Sequence, residues 1–134
     1  MRGFIAKFPP WSLTIVTLAL LLWLTLAPKP LGERPPELFP GADKIAHGIM
    51  FGGQLLMILV DRLRSKDWTR PGYGFITLAT STVILLGIVI EELQGTMDIG
   101  RSYDVKDIYA DATGTIIVAA MWIVWRRKRG KKCA

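Results

Sequence analysis

The sequence predicts an all-α polytopic membrane protein: a bundle of four transmembrane helices with both termini in the cytoplasm. Three observations carry this reading. Half of the 134 residues are hydrophobic, and they gather into four runs, residues 11–27, 45–60, 73–93 and 108–125. A helix rises about 1.5 Å per residue and the hydrocarbon core is about 30 Å thick, so runs of roughly 17 to 21 residues can cross it, the first two with help from interfacial ends. The basic residues sit at the ends of those runs. Twelve of the 17 Lys and Arg precede the first run, separate the second from the third, or follow the fourth, and four crossings put those segments on one side. By the positive-inside rule that side is cytoplasmic, and loops 28–44 and 94–107 face outward. Finally, the breaks between runs are rich in proline, glycine and charge. The length fits a single domain, 1–134, ending in a basic cytoplasmic tail, 126–134.

The first run begins after Pro9 and Pro10 and ends before Pro28 and Pro30, with Trp11 and Trp23 near the two interfaces. It resembles a signal peptide, but cleavage after Ala27 would leave three crossings and put the basic tail opposite the basic middle loop, so it is kept as a membrane helix. Residues 28–42 hold five prolines and two glycines and read as an outer loop. Asp43 stands where a helix N-cap belongs. In the second run Asp43, His47 and Gln54 fall on one stripe, and Gly48 and Gly52 form a GxxxG pattern that lets another helix backbone approach. Residues 61–72 read as a cytoplasmic turn. The third run opens with Thr77, Thr80, Ser81 and Thr82, whose hydroxyls can bond back to their own backbone, and closes with Glu91 and Gln94 on one face, Glu92 pointing away. The fourth opens with Asp104, Asp107, Asp111 and Gly114 on one stripe. Asp104 and Asp107 suit a helix N-terminus. Asp111 lies about a turn deeper, where a carboxylate facing lipid costs about 2.5–3.5 kcal/mol, so it should face inward.

The topology and the stripes agree. Asp43 and His47, Glu91 and Gln94, and Arg101 to Asp111 all belong to the outer ends of their helices, while the cytoplasmic halves carry almost nothing ionisable. This predicts a water-accessible polar pocket at the extracytoplasmic end of the bundle. The net charge of +6 is explained by topology anchors and not by a nucleic-acid surface. The single cysteine, Cys133, excludes an internal disulfide and a thiolate metal site.

The segments DKIAHGIMF, EELQ and RSYDVKDIYADATG resemble the signature of the VanZ-like family of small bacterial membrane proteins, D-K-x-x-H, E-x-x-Q and R-x-x-D-x-x-D-x-x-x-N-x-x-G. The resemblance spans residues 43–114 and puts Asp43, Lys44, His47, Glu91, Gln94, Arg101, Asp104, Asp107 and Gly114 on the motif positions. Asp111 stands where the family usually has Asn. The resemblance implies a protein of the bacterial cytoplasmic membrane, and the founding member is associated with low-level resistance to teicoplanin, a glycopeptide antibiotic that binds cell-wall precursors.

Two functional readings follow. In the first, the protein is a non-enzymatic binder of an envelope lipid, a lipid-linked cell-wall precursor or a lipophilic glycopeptide. Arg101 would grip a phosphate or carboxylate bidentately and Lys44 would assist as a point charge, with Gln94, Asp104, Asp107 and Asp111 completing the ligand-binding set. In the second, a membrane enzyme modifies a lipid headgroup or lipid-linked sugar. There His47 is the general acid or base oriented by Asp43, Glu91 is a second acid, and Arg101 stabilises developing negative charge. A hard divalent cation on Asp104, Asp107 or Asp111 is a variant of the enzyme; a lone histidine argues against zinc, and neither a metal site nor a cofactor is assigned. No nucleophile with an adjacent base stands in the sequence, which favours the binder. A third reading has the polar groups only fastening helix ends, His47 to Asp43 and Arg101 to Glu91 or Asp107.

Overall fold

A computed structural model describes residues 9–27, 39–65, 69–97 and 103–130, and among these it holds four helices and no strand. They are α1 (Ser12–Leu26), α2 (Ala42–Ser65), α3 (Tyr73–Thr96) and α4 (Val105–Gly130). The last three are long and apolar enough to cross a membrane. Helix α1, with 15 residues, spans only about 22 Å, less than the hydrocarbon thickness.

Helices α2 and α4 run several residues past the apolar segments that announced them, because their charged ends find partners. At one end of α2, Asp43 and Lys44 form an ion pair within the first turn. Helix α2 starts at Ala42, behind Gly41 at φ +86°, so Asp43 lies inside the helix and is not its N-cap. At the other end, residues 61–65 are helical where the sequence suggested a turn. Asp61 is fully buried there and bonds Arg64 at 2.6 Å. The expectation that this half of the bundle carries almost nothing ionisable is therefore corrected.

Consecutive helices run antiparallel, as the cross-links at the two ends of the bundle require. Asp61 reaches Thr14 near the start of α1, while Gln94 reaches Thr25 near its end. A helix leaves its first N–H and last C=O groups without internal partners, and α1 has no side-chain cap of its own. Asp61 Oδ2 accepts from the Thr14 N–H at 2.8 Å and from its hydroxyl at 2.9 Å. The Gln94 side-chain amide donates to the Thr25 carbonyl at 2.8 Å, and Gln54 donates to the Thr14 carbonyl at 3.3 Å. Each end of α1 thus receives a side-chain partner from a neighbouring helix. At the Asp61 end, arginines lie over aromatic rings, Arg126 over Tyr73 at 4.4 Å and Arg62 over Phe75 at 5.3 Å, and Arg126 also donates to the Pro71 carbonyl.

The core is built from Phe51, Leu55 and Leu59 at i, i+4 and i+8 of α2, facing Ile76, Ala79, Val83 and Ile90 of α3, with Leu21 and Trp122 closing it. Thr80 and Thr82 return their hydroxyls to Ile76 and Leu78 carbonyls, as their position in α3 suggested. Helix α2 packs most extensively against α4. Their backbones touch through glycine: a Cβ on Gly114 would lie 2.6 Å from the Gly48 carbonyl carbon and 2.7 Å from its Cα, and one on Gly52 would lie 2.9 Å from the Gly114 carbonyl oxygen. The GxxxG expectation holds.

Gly114→Ala is therefore expected to force α2 and α4 apart and to destabilise the protein by about 1–3 kcal/mol, the usual scale of overpacking. Gly53→Ala meets nothing within 4 Å and should not destabilise the protein, since alanine is favoured over glycine inside a helix by about 1 kcal/mol. Reversible denaturation of the two variants in detergent micelles measures the difference.

Candidate functional site

The α2–α4 glycine contact brings two rows of ionisable side chains together at the end of the bundle opposite Asp61. Lys44 and His47 lie one turn apart on α2, and Asp104, Asp107 and Asp111 descend along the start of α4. Lys44 Nζ meets Asp107 at 2.9 Å, Asp43 at 3.0 Å and Asp104 at 3.1 Å. Asp104 caps α4: its carboxylate accepts from the Lys106 N–H at 2.9 Å and its carbonyl from the Asp107 N–H at 3.0 Å. The Lys106 backbone N–H, and after it the Lys44 ammonium, hold the Asp104 carboxyl below the usual carboxylate range.

Deeper in, His47 Nδ1 lies 3.1 Å from Asp111 Oδ1, and Nε2 is 3.9 Å from Asp107 Oδ2. The imidazole lies nearly parallel to the Phe51 ring, at 14° and 6.3 Å between centroids, which walls it from the core. Glu91 arrives from α3 with its side chain completely buried. Its Oε2 accepts from the Asp104 N–H at 3.1 Å. Its Oε1 and the Asp111 Oδ2 are buried without a hydrogen-bond partner. One nitrogen of His47 and one oxygen each of Glu91 and Asp111 lie within 4.8 Å of one another. Gly87, one turn before Glu91, makes room: a Cβ there would stand 3.0 Å from Asp111 Oδ2. Chemically the cluster can share a proton between carboxyls and imidazole, or offer one nitrogen and two oxygen ligands to a cation.

Most of the residues the sequence singled out meet here, with changed partners. His47 pairs with Asp111 and not with Asp43, which is 62% exposed and bound to Lys44, so the proposed orienting role of Asp43 is corrected. Gln94 is buried and donates its side-chain amide to the Thr25 carbonyl of α1. Gln54 likewise serves α1. Glu92 is exposed, as expected. Arg101, expected to grip an anion, lies outside the described residues, as does Cys133. Sequence reasoning missed the wall formed by Phe51 and the space left by Gly87. The i, i+4 spacings of His47 with Phe51 and of Gly87 with Glu91 were the available signals.

Beside the cluster, a groove of about 720 Å³ opens along the α2–α4 seam. Its floor is Gly48, Gly52 and Gly114, its walls include Ile49 and Ile117, and Lys44 and Lys106 stand among its lining residues. The glycines that bring the helices together also leave this hollow, since no side chain fills it.

No curated protein and no solved structure matches the chain. The family model of VanZ/LLP1 matches residues 11–126, from the turn before α1 to the last turns of α4, and so covers every helix that builds the site. The chain belongs to the VanZ/LLP1 family.

Proposed function

We propose that the protein binds a phosphate-headed lipid of the cell envelope, a lipid-linked cell-wall precursor being one member of that class. The chain lies in the α2–α4 groove and the phosphate at the lysines beside it. The observation that carries this reading is the groove itself: apolar, about 720 Å³ in volume, glycine-floored and joined to Lys44 and Lys106. That volume falls within the range of about 300–1,000 Å³ usual for small-molecule sites. Chain burial contributes about 0.8 kcal/mol per CH₂ relative to water, but a membrane already offers that, so selectivity must come from the headgroup. A phosphate would meet Lys106 and compete with Asp104 and Asp107 for Lys44.

The distribution of Lys and Arg supports an orientation with both termini cytoplasmic and the polar cluster on the outer side of the cytoplasmic membrane. There the cluster would face lipid-linked precursors exported for wall synthesis, which accords with the glycopeptide-resistance association of the family's founding member.

A second reading is favoured by one observation, the buried His47–Asp111 pair beside Glu91. An imidazole held by a carboxylate next to a second acid has the parts of a general acid–base pair acting on a lipid headgroup.

Three measurements test these statements. Native mass spectrometry of the purified protein with undecaprenyl phosphate should show a bound lipid. Gly53→Leu, which fills the groove from a position with free space around it, and Lys106→Glu should each weaken that binding about tenfold, equivalent to about 1.4 kcal/mol. Equal binding in both variants removes the groove from the reading. For orientation, Gly32→Cys in a Cys133→Ser background should react with an impermeant maleimide added to intact cells, and protection of that cysteine reverses the assignment. For catalysis, His47→Ala in place of the parent should change the lipid profile of the membrane, and an unchanged profile leaves the binder alone.

A further inference from the structure

The geometry points to a divalent transition-metal site formed by His47, Glu91 and Asp111, one ligand from each of the three long helices. The site is distinct from the Lys44 clamp above it and does not depend on what fills the groove. Two independent observations carry it. The ligand atoms already converge within 4.8 Å of one another. In addition, Glu91 Oε1 and Asp111 Oδ2 are buried, on side chains at most 2% exposed, with no hydrogen-bond partner. A buried acceptor left unpaired keeps the cost of its lost hydration, and more so when it carries charge. A cation satisfies both.

Charge and distance agree. Metal binding takes the imidazole in its neutral form, so two carboxylates and one divalent cation sum to zero, removing the penalty of burying unbalanced charge in a membrane interior. Metal–ligand bonds of about 2.0–2.2 Å set neighbouring ligand atoms about 3.0–3.5 Å apart. The His47 Nδ1 to Asp111 Oδ1 separation is already 3.1 Å. Glu91 lies within 4.8 Å of both and closes on a shared ion by turning about its side-chain bonds. One imidazole and two carboxylates suit ions of intermediate hardness, Mn²⁺ or Zn²⁺, better than Cu⁺ or Ca²⁺. Three protein ligands leave a coordination position open to water or to a phosphate oxygen, the arrangement of reactive metal sites and not of closed structural ones.

The test uses the full-length protein, stripped with a chelator in detergent and titrated with Mn²⁺ followed by electron paramagnetic resonance, and with Zn²⁺ by competition. One equivalent of Mn²⁺ should bind, displaced by Zn²⁺, with an echo-modulation signature of a single imidazole nitrogen. Glu91→Gln and Asp111→Asn should each weaken binding tenfold or more, while Glu92→Gln, which removes the same charge from an exposed neighbour, should not. Absence of binding by the parent at millimolar Mn²⁺ overturns the proposal. So does equal binding by the parent, Glu91→Gln and Asp111→Asn. Should those variants fail to accumulate, the parent alone decides, since bound Mn²⁺ without nitrogen modulation also overturns it.

Discussion

The close approach of Gly48 and Gly114 governs the rest of the molecule. Where most helix pairs stand about 8–10 Å apart with side chains interleaved, here the two backbones meet directly. That proximity puts His47, the residue before Gly48, in reach of Asp111, and one turn nearer the start of α2 it puts Lys44 in reach of Asp107 and Asp104. The same absence of side chains hollows the outer face of the seam. Packing, polar pairing and cavity thus share one cause, and none can be altered at the glycines without altering the others.

The polar end has two layers with different energetics. In the outer layer Lys44 gathers three carboxylates in partly exposed positions, where solvent screens ion pairs and lets them exchange partners readily. In the inner layer His47, Glu91 and Asp111 are shut away from water, and unbalanced charge is costly. A readily exchanging layer above a demanding one suits recognition above and a fixed polar centre below. The buried centre also differs from Asp61 at the far end, whose two oxygens are fully used by Thr14 and Arg64. Asp61 is a structural fastening; the inner layer has oxygens to spare.

Much of this was legible in the sequence. The 104, 107, 111 and 114 spacing marked one face of α4, and Gly48 with Gly52 marked the face of α2 that would meet a backbone, so the convergence of three helix ends followed from periodicity and charge. The partners did not. Spacing within a helix tells which residues share a face, whereas His47 chooses Asp111 over Asp43 because of the offset between two helices, which Gly114 sets. Asp61 was misread because a charged residue after an apolar run looks like a loop until Arg64, at i+3, and Thr14, 47 residues earlier, are seen to meet it. Gln94 shared a face with Glu91, but its carbonyl partner belongs to α1, and backbone acceptors leave no trace in residue identity.

The way α1 is finished bears on how the chain is assembled at the ribosome. Of the described helices this one is synthesised before the others, yet side-chain partners at its two ends come from positions 61 and 94, so it must wait for two later segments to receive them. The earliest of these helices to be made is in this sense the last to be completed, and chains ending before position 94 would lack the amide that Gln94 gives to the Thr25 carbonyl.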